Sequence, residues 1–239
     1  MEGVLGAIRS RFDVETGRTA SVAPLQDWGI GGKMEDYIAS ILHAGLNLLV
    51  VSESAGICRG FIARASGLLP RYDITAILTA DGKATNLPIM VRGIFVDHTR
   101  AGRGRALLRA IELQPVRIAS EIELDNNNAL FEYAARGGSF IAPLRGGCDA
   151  EAVPITLAAR GVKMDYLNML DVVAYIHMAY DMPILDVYEY LWLSRAETDD
   201  GRPINRADAF ETVKIAENGG FIASSSKLGL YGPHRRAGK

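Results

Sequence analysis

The residues best suited to do chemistry lie in a glycine-rich loop near the middle of the chain. The preceding stretch, Ile89–Asp97, is apolar on both faces, which is typical of a strand that is covered on both sides. It leads into Gly102 and Gly104 and then into a segment whose apolar residues have helical spacing. Backbone N–H groups of such a loop, together with a helix N-terminus, can surround a phosphate. Three arginines add positive charge there: Arg100, Arg103 and Arg105. The pattern therefore predicts a phosphate or pyrophosphate site.

Two common phosphate-binding motifs fit this loop poorly. A Walker A loop ends in Gly-Lys-Ser/Thr, whereas this loop ends in Gly104-Arg105-Ala106. A dinucleotide fingerprint needs a third glycine, and alanine or leucine takes its place here. That fingerprint also belongs to the first strand–helix unit of a parallel sheet, whereas this loop follows a predicted hairpin. A third interpretation is therefore preferred.

The third interpretation rests on two motifs that are one strand apart. Thr99-Arg100-Ala101-Gly102-Arg103-Gly104 resembles the Arg/Gln-x-x-Gly-x-Gly/Ala loop of the GCN5-related N-acetyltransferase (GNAT) superfamily. The segment from Asn126 to Gly137 keeps that family's spacing of Asn, Ala, Tyr and Gly, with Ala129 and Tyr133 at the inner positions. Thr99 departs from the family at the basic position, and Gly138-Ser139 departs where an aromatic residue is usual. The resemblance covers about residues 30–145.

The resemblance implies a site for acetyl-coenzyme A between two splayed parallel strands, Ile89–Asp97 and Arg117–Asp125. The loop would hold the pyrophosphate, and Asn126 would contact the cofactor arm or cap its helix. Backbone groups of the first strand would pair with the pantetheine arm. The implied cofactor-binding residues are Ile94, Phe95, Val96, Thr99, Arg100, Ala101, Gly102, Arg103, Gly104, Arg105, Asn126 and Ala129.

The same resemblance implies a direct attack by an amine on the thioester. Tyr133 is expected to protonate the departing thiolate. The attacking amine must be neutral, so a general base or a water chain is useful. Four side chains are candidates for that base: Asp97, His98, Glu121 and Glu123. Plainer interpretations stand beside these roles: Tyr133 as a core residue, Asn126 as a helix cap, and the two glutamates as the solvated face of a strand.

Hydrophobic periodicity predicts the elements that position these residues. Helices are predicted over Lys33–His43, Arg103–Leu113 and Ala129–Arg136. Strands are predicted over Leu46–Ser52, Ile74–Leu78, Ile89–Asp97, Arg117–Asp125 and Ser139–Leu144. Ile57–Ala65 is predicted as the returning strand of a hairpin, and Ala152–Leu157 as one more strand.

The predicted fold class is α/β (α+β), with a GNAT-like mixed and mostly antiparallel sheet. Two splayed central parallel strands and helices on both faces complete that domain, which is expected to span residues 1–158. Residues 159–239 are expected to form a mostly helical C-terminal extension with a basic tail. Its predicted helices are Asp165–Tyr180, Ile184–Arg195 and Arg206–Glu217.

Composition limits the function classes further. The chain has 239 residues, of which 49% are hydrophobic and 23% charged, with a net charge of -2. This length can bury a sizeable core, and this charge argues against a surface built for nucleic acid or membranes. Cys58 and Cys148 form no CxxC pair, so no metal is predicted. No signal peptide or apolar run of ~18 residues is present, which predicts a cytoplasmic protein.

The sequence therefore predicts an N-acyltransferase that moves an acetyl group from acetyl-coenzyme A to an amine. The acceptor is left open between a small molecule, a peptide and a nucleic-acid base. The aromatic, Met-rich C-terminal segment leaves a homodimer open as well. Two alternatives stand: a non-catalytic GNAT-fold binding or assembly module, and a GNAT-like nucleic-acid base-modifying enzyme of phage type.

Overall fold

The structure is a computed structural model in which one sheet carries strands from most of the described chain. It describes residues 25–28, 30–70, 73–79, 92–97, 103–124, 126–146, 149–180, 182–192, 210–223 and 225–231. Within these residues, no helix combines the length and the apolar character needed to cross a membrane.

Nine strands of the described chain form a single sheet. Six of them are parallel neighbours in the order β3-β2-β4-β5-β1-β6. These are β1 (Leu48–Ser52), β2 (Ile74–Thr79), β3 (Arg92–Asp97), β4 (Arg117–Ser120), β5 (Ser139–Arg145) and β6 (Val172–Ala179). The sheet continues past β6 with three antiparallel strands, β7 (Met182–Trp192), β8 (Phe210–Glu217) and β9 (Gly220–Phe221).

Helices cover both faces of this sheet. One face packs against α1 (Gly32–His43) and α2 (Ala55–Ala65). The other packs against α3 (Arg103–Glu112), α4 (Asn127–Ala135) and α5 (Val153–Ala159). A short helix, α6 (Ser226–Tyr231), follows the last strand. Short 3-10 turns occur at Leu25–Trp28, Ser66–Leu68, Ala150–Ala152 and Met164–Met169. Because both faces are covered, all five residues of β1 are buried, as is usual for a central parallel strand.

The predicted pair of splayed strands is wrong. A third strand, β2, lies between β3 and β4 and pairs with both. Ile77 of β2 stands opposite Phe95 on one side and Ala119 on the other. The gap that was to hold a cofactor is therefore filled by a hydrogen-bonded strand. The sheet is mostly parallel rather than mostly antiparallel, whereas the α/β class and the helices on both faces are confirmed.

The predicted hairpin after β1 is also wrong, because residues 55–65 form α2. Cys58, Phe61, Ile62 and Ala65 are buried, and their spacing of three, four and seven residues is that of one helix face. Two β-branched isoleucines in this segment favour a strand, and two glycines disfavour a helix, by local propensity. Packing against the sheet outweighs that propensity. The segment predicted as a strand at Ala152–Leu157 is likewise helical, in α5.

The predicted helical C-terminal extension is wrong as well. The segments predicted as three helices form β6, β7 and β8. β6 reads VVAYIHMA and β7 reads MPILDVYEYLW, and such Val-, Ile- and Tyr-rich segments favour strands. Strands from both sides of the predicted boundary between residues 158 and 159 belong to one sheet. The boundary itself stays a prediction.

The elements with one clear apolar face were predicted correctly. The helices at Lys33–His43, Arg103–Leu113 and Ala129–Arg136 correspond to α1, α3 and α4 within a few residues. Gly45, which follows the first helix, has a φ of 75°, as is common where a helix ends. Asn126 accepts a hydrogen bond from the Ala129 N–H at 3.2 Å, so its interpretation as a helix cap is confirmed.

Candidate functional site at the carboxyl edge of the sheet

The fold itself indicates where a ligand site would lie. In open α/β sheets, ligands bind outside the carboxyl ends of the strands, at the point where neighbouring connections leave on opposite faces. β1 and β5 are neighbours, and β1 is followed by α2 on one face while β5 is followed by α5 on the other. The crevice between the ends of β1 and β5 is therefore the candidate site.

The turn that leaves β1 is very short. Only Glu53 and Ser54 separate the end of β1 from the start of α2. The Ser54 N–H donates to the Ser52 hydroxyl oxygen at 3.3 Å, and the Ser52 carbonyl accepts from the Gly146 N–H at 3.2 Å. The Ser54 N–H and the Ser52 carbonyl thus already have partners within the protein, whereas in an open loop such groups could face a ligand.

The first turn of α2 contacts β1 through the side chain of Cys58. Cys58 is 1% exposed, and its thiol lies 3.5 Å from the Val50 carbonyl oxygen, to which it donates. Burial and the charge of Glu123 raise the pKa of this thiol to about 12. Cys58 is therefore a neutral packing residue at neutral pH.

An ion pair spans the edge between α2 and the end of β4. The Arg59 Nε lies 3.6 Å from the Glu121 Oε2, and Glu121 is only 5% exposed. The Glu121 N–H donates to the Leu78 carbonyl at 2.9 Å, which fixes the start of the connection after β4. Glu121 was predicted as a general base or, more plainly, as part of a solvated strand face, and the structure instead buries it beside the Arg59 guanidinium.

A second ionic group lies next to the first. Arg160, just after α5, forms an ion pair with Glu123 and donates to the Arg145 carbonyl at 2.7 Å. The Arg145 side chain in turn donates to the Glu53 carbonyl at 3.4 Å, and its N–H to Glu123 at 3.3 Å. Connections after β1, β4 and β5 are thus tied together by arginines.

Tyr133 lies away from this edge. Its hydroxyl donates to the Pro115 carbonyl at 2.6 Å, and the residue is 8% exposed. Its ring also explains Gly138, because a Cβ there would lie 2.2 Å from the Tyr133 Cζ. Burial raises the pKa of this hydroxyl to about 12. The structure supports the plainer interpretation of Tyr133 as a packing residue.

The other predicted site residues are not brought together with Glu121 and Tyr133 as an acyltransfer site. Ile94, Phe95, Val96 and Asp97 lie in β3 and pair with β2 along its length. Arg103, Gly104 and Arg105 begin α3, where Arg105 is exposed. Ala129 is half-buried in the first turn of α4. His98, Thr99, Arg100, Ala101 and Gly102 lie outside the described residues.

Comparison with solved structures finds the same architecture in secretion ATPases. The ATPase DotB of Yersinia pseudotuberculosis matches with a TM-score of 0.56 and 12% identity, over 70% of this chain and 48% of that one. The VirB11 ATPase of the Brucella suis type IV secretion system, in complex with sulphate, matches with a TM-score of 0.51 and 18% identity, over 75% and 59%. DotB of Legionella pneumophila matches with a TM-score of 0.52 and 9% identity, over 82% and 51%.

These matches show a shared fold. The chain spans about half of the length of these proteins. No family model matches the sequence, and no curated protein matches it. The resemblance to the GNAT superfamily is overturned, because the matching structures are ATPases and the two motif strands are separated by β2. The predicted acyltransferase activity, its nucleic-acid-modifying and GNAT-module alternatives, and the acetyl-coenzyme A cofactor fall with it.

The fold shared with these structures directs attention to the turn after β1, which was not predicted as a site. A Walker A loop has the pattern G-x-x-x-x-G-K-[ST] between a strand and a helix. At this place the chain reads Val51-Ser52-Glu53-Ser54-Ala55-Gly56-Ile57-Cys58. Only Gly56 matches that pattern, and the other three fixed positions hold valine, isoleucine and cysteine. Without the lysine, no sequence signal marked this segment as a phosphate loop.

Proposed function

We propose that this chain is a non-hydrolysing subunit with the ATPase fold that serves as a structural component of a type IV secretion-like assembly. The observation that carries the proposal is the pair Ile57-Cys58, which stands where an ATPase has its phosphate-binding lysine and metal-binding Ser/Thr. The secretion context is supported by the names of the structures that share the fold.

Phosphate binding lacks its cation at this turn. The lysine of a phosphate loop neutralises part of the charge on the β- and γ-phosphates. Arg59 is two residues past the lysine position and is engaged with the buried Glu121. Drawing Arg59 toward a phosphate would take a cation from the neighbourhood of a buried carboxylate, which is unfavourable. The ion pair therefore competes with a nucleotide.

Magnesium binding lacks its hydroxyl. Mg²⁺ prefers oxygen ligands in near-octahedral geometry. The Cys58 thiol offers a neutral sulfur whose hydrogen bond goes to the Val50 carbonyl inside the fold. The two-residue turn between β1 and α2 also leaves too few backbone N–H groups to encircle a phosphate. The two requirements for hydrolysis thus fail for independent reasons.

Phosphate release from MgATP tests this proposal directly. We expect the purified chain to release phosphate no faster than a mock preparation, made from cells without the chain by the same purification. Glu132→Gln, which alters a partly exposed carboxylate paired with Arg136, is the control for a change of charge. Release that is clearly above that of the mock preparation, and that Glu132→Gln retains, would overturn the proposal and assign an ATPase.

A further inference from the structure

A buried carboxylate organises the opposite, amino edge of the sheet. Glu189 of β7 is 0% exposed and stands opposite Val172, the first residue of β6. Its two oxygens accept four hydrogen bonds. The donors are the Tyr37 hydroxyl at 2.8 Å, the Ser225 hydroxyl, the Ser226 N–H at 2.9 Å and the Lys227 N–H at 3.1 Å. The carboxylate is therefore fully committed to neighbouring groups.

Three of these four donors belong to one short segment, residues 225–231, here called the C-terminal strap. The Ser225 hydroxyl oxygen also accepts the Leu228 N–H at 2.9 Å, so the same residue organises the start of α6. The Lys227 ammonium pairs with Asp171 at 2.6 Å. Leu228 packs against the core cluster beneath α1. Polar contacts to two carboxylates thus hold the start of the strap in place.

The strap is connected to the central strands through Asp171. The other oxygen of Asp171 accepts the Asn47 N–H at 3.0 Å and the Asn47 side-chain amide at 3.1 Å. The Asn47 side-chain oxygen accepts the Phe140 N–H at 3.0 Å. Asn47 directly precedes β1, Asp171 directly precedes β6, and Phe140 lies in β5. The network therefore joins the strap to the amino ends of three adjacent strands.

We propose that the strap is a detachable element and that Glu189 is its latch. When closed, it fixes the amino ends of β5, β1 and β6 relative to one another. Loss of the Glu189 carboxylate would leave three donors of the strap without their acceptor, because all three bond to it. Short segments held by few contacts commonly open by local unfolding that leaves the core intact. The strap opens in this way, without loss of the sheet.

Limited trypsin digestion of the full chain tests the latch. Lys227 is 9% exposed and ion-paired, so cleavage after it requires the strap to open. Cleavage after Lys214, in β8, reports on loss of the sheet. Glu189→Gln keeps one acceptor oxygen and replaces the other with an NH2 that cannot accept, so the donors on that oxygen lose their acceptor. We expect cleavage after Lys227 to accelerate about tenfold while cleavage after Lys214 stays unchanged. Mass spectrometry of the fragments separates the two sites.

Two further variants keep the test decisive. Ser225→Ala removes one neutral donor and is expected to give a smaller but still selective acceleration, even if Glu189→Gln folds poorly. Glu132→Gln, a change at an exposed carboxylate on α4, is expected to leave both cleavage rates unchanged. Equal acceleration at both lysines would show that Glu189 serves only global stability. No acceleration at Lys227 would show that Glu189 does not hold the strap. Either result overturns the proposal.

Discussion

Three consecutive side chains decide what the turn after β1 can bind. Ile57 brings no charge where a phosphate loop needs a cation, and Cys58 turns its thiol into the fold. Arg59 carries a charge but is directed to Glu121 across the edge. The guanidinium thus lies beside a buried carboxylate whose charge it partly balances. These three side chains support the proposed absence of hydrolysis.

Tyr133 supports a prediction about alkaline pH. Burial raises its pKa from 10 to about 12, so the folded chain favours the neutral hydroxyl. The resulting stability is fully present below pH 10 and is lost as the pH rises toward about 12. We expect the free energy of unfolding to fall by up to about 3 kcal/mol over this window from Tyr133 alone.

Urea unfolding followed by circular dichroism measures this pH dependence. Tyr133→Phe is expected to be about 1 kcal/mol less stable at neutral pH, because the hydrogen bond to Pro115 is lost. Its alkaline loss of stability should be smaller than that of the native chain, with the remainder coming from Tyr37 and Cys58, whose pKa values burial also raises. Identical slopes for both proteins would contradict the buried placement of Tyr133.

At the scale of elements, residues with one clear apolar face were predictable from the sequence. The Met34, Tyr37, Ile38 and Ile41 stripe of α1 and the Ala106, Leu107 and Ala110 stripe of α3 follow helical spacing and are buried. The sequence does not show which strands become neighbours, because pairing of parallel strands depends on contacts distant along the chain. No local sequence pattern therefore predicts that β2 lies between β3 and β4. The candidate site was missed for a related reason, since it depends on the neighbouring ends of β1, β4 and β5.

Alanine substitutions at two glycines of α2 test its assignment as a helix, because they should change the free energy of unfolding in opposite directions. A Cβ on Gly56 would meet only the Ser54 hydroxyl at 3.7 Å, whereas a Cβ on Gly60 would lie 2.7 Å from the Trp28 ring. We expect Gly56→Ala to raise the free energy of unfolding by about 0.5 kcal/mol. Gly60→Ala should lower it by about 1–3 kcal/mol through overpacking. Urea denaturation of both variants measures the difference, and destabilisation by Gly56→Ala would argue against the helix.

At the scale of the whole molecule, the two edges of the sheet have different characters. At the carboxyl edge, where related folds would hold a ligand, Arg59, Arg145 and Arg160 link the connections after β1, β4 and β5. Glu53, Ser54, Ala55 and Gly56 of the turn after β1 stay exposed there. The amino edge is joined by Glu189 and Asp171 to the C-terminal strap.

Calorimetric titration of MgATP into the full chain tests whether the carboxyl edge binds a nucleotide. Arg59 already lies 3.6 Å from the buried Glu121 carboxylate and the turn after β1 has no lysine, so we expect no saturable heat up to millimolar nucleotide. A bound nucleotide would also stabilise the fold, by about 2.7 kcal/mol at a hundredfold excess over its Kd. Saturable binding with a micromolar Kd, weakened in Arg59→Ala, would contradict the account and show that the carboxyl edge opens to a nucleotide.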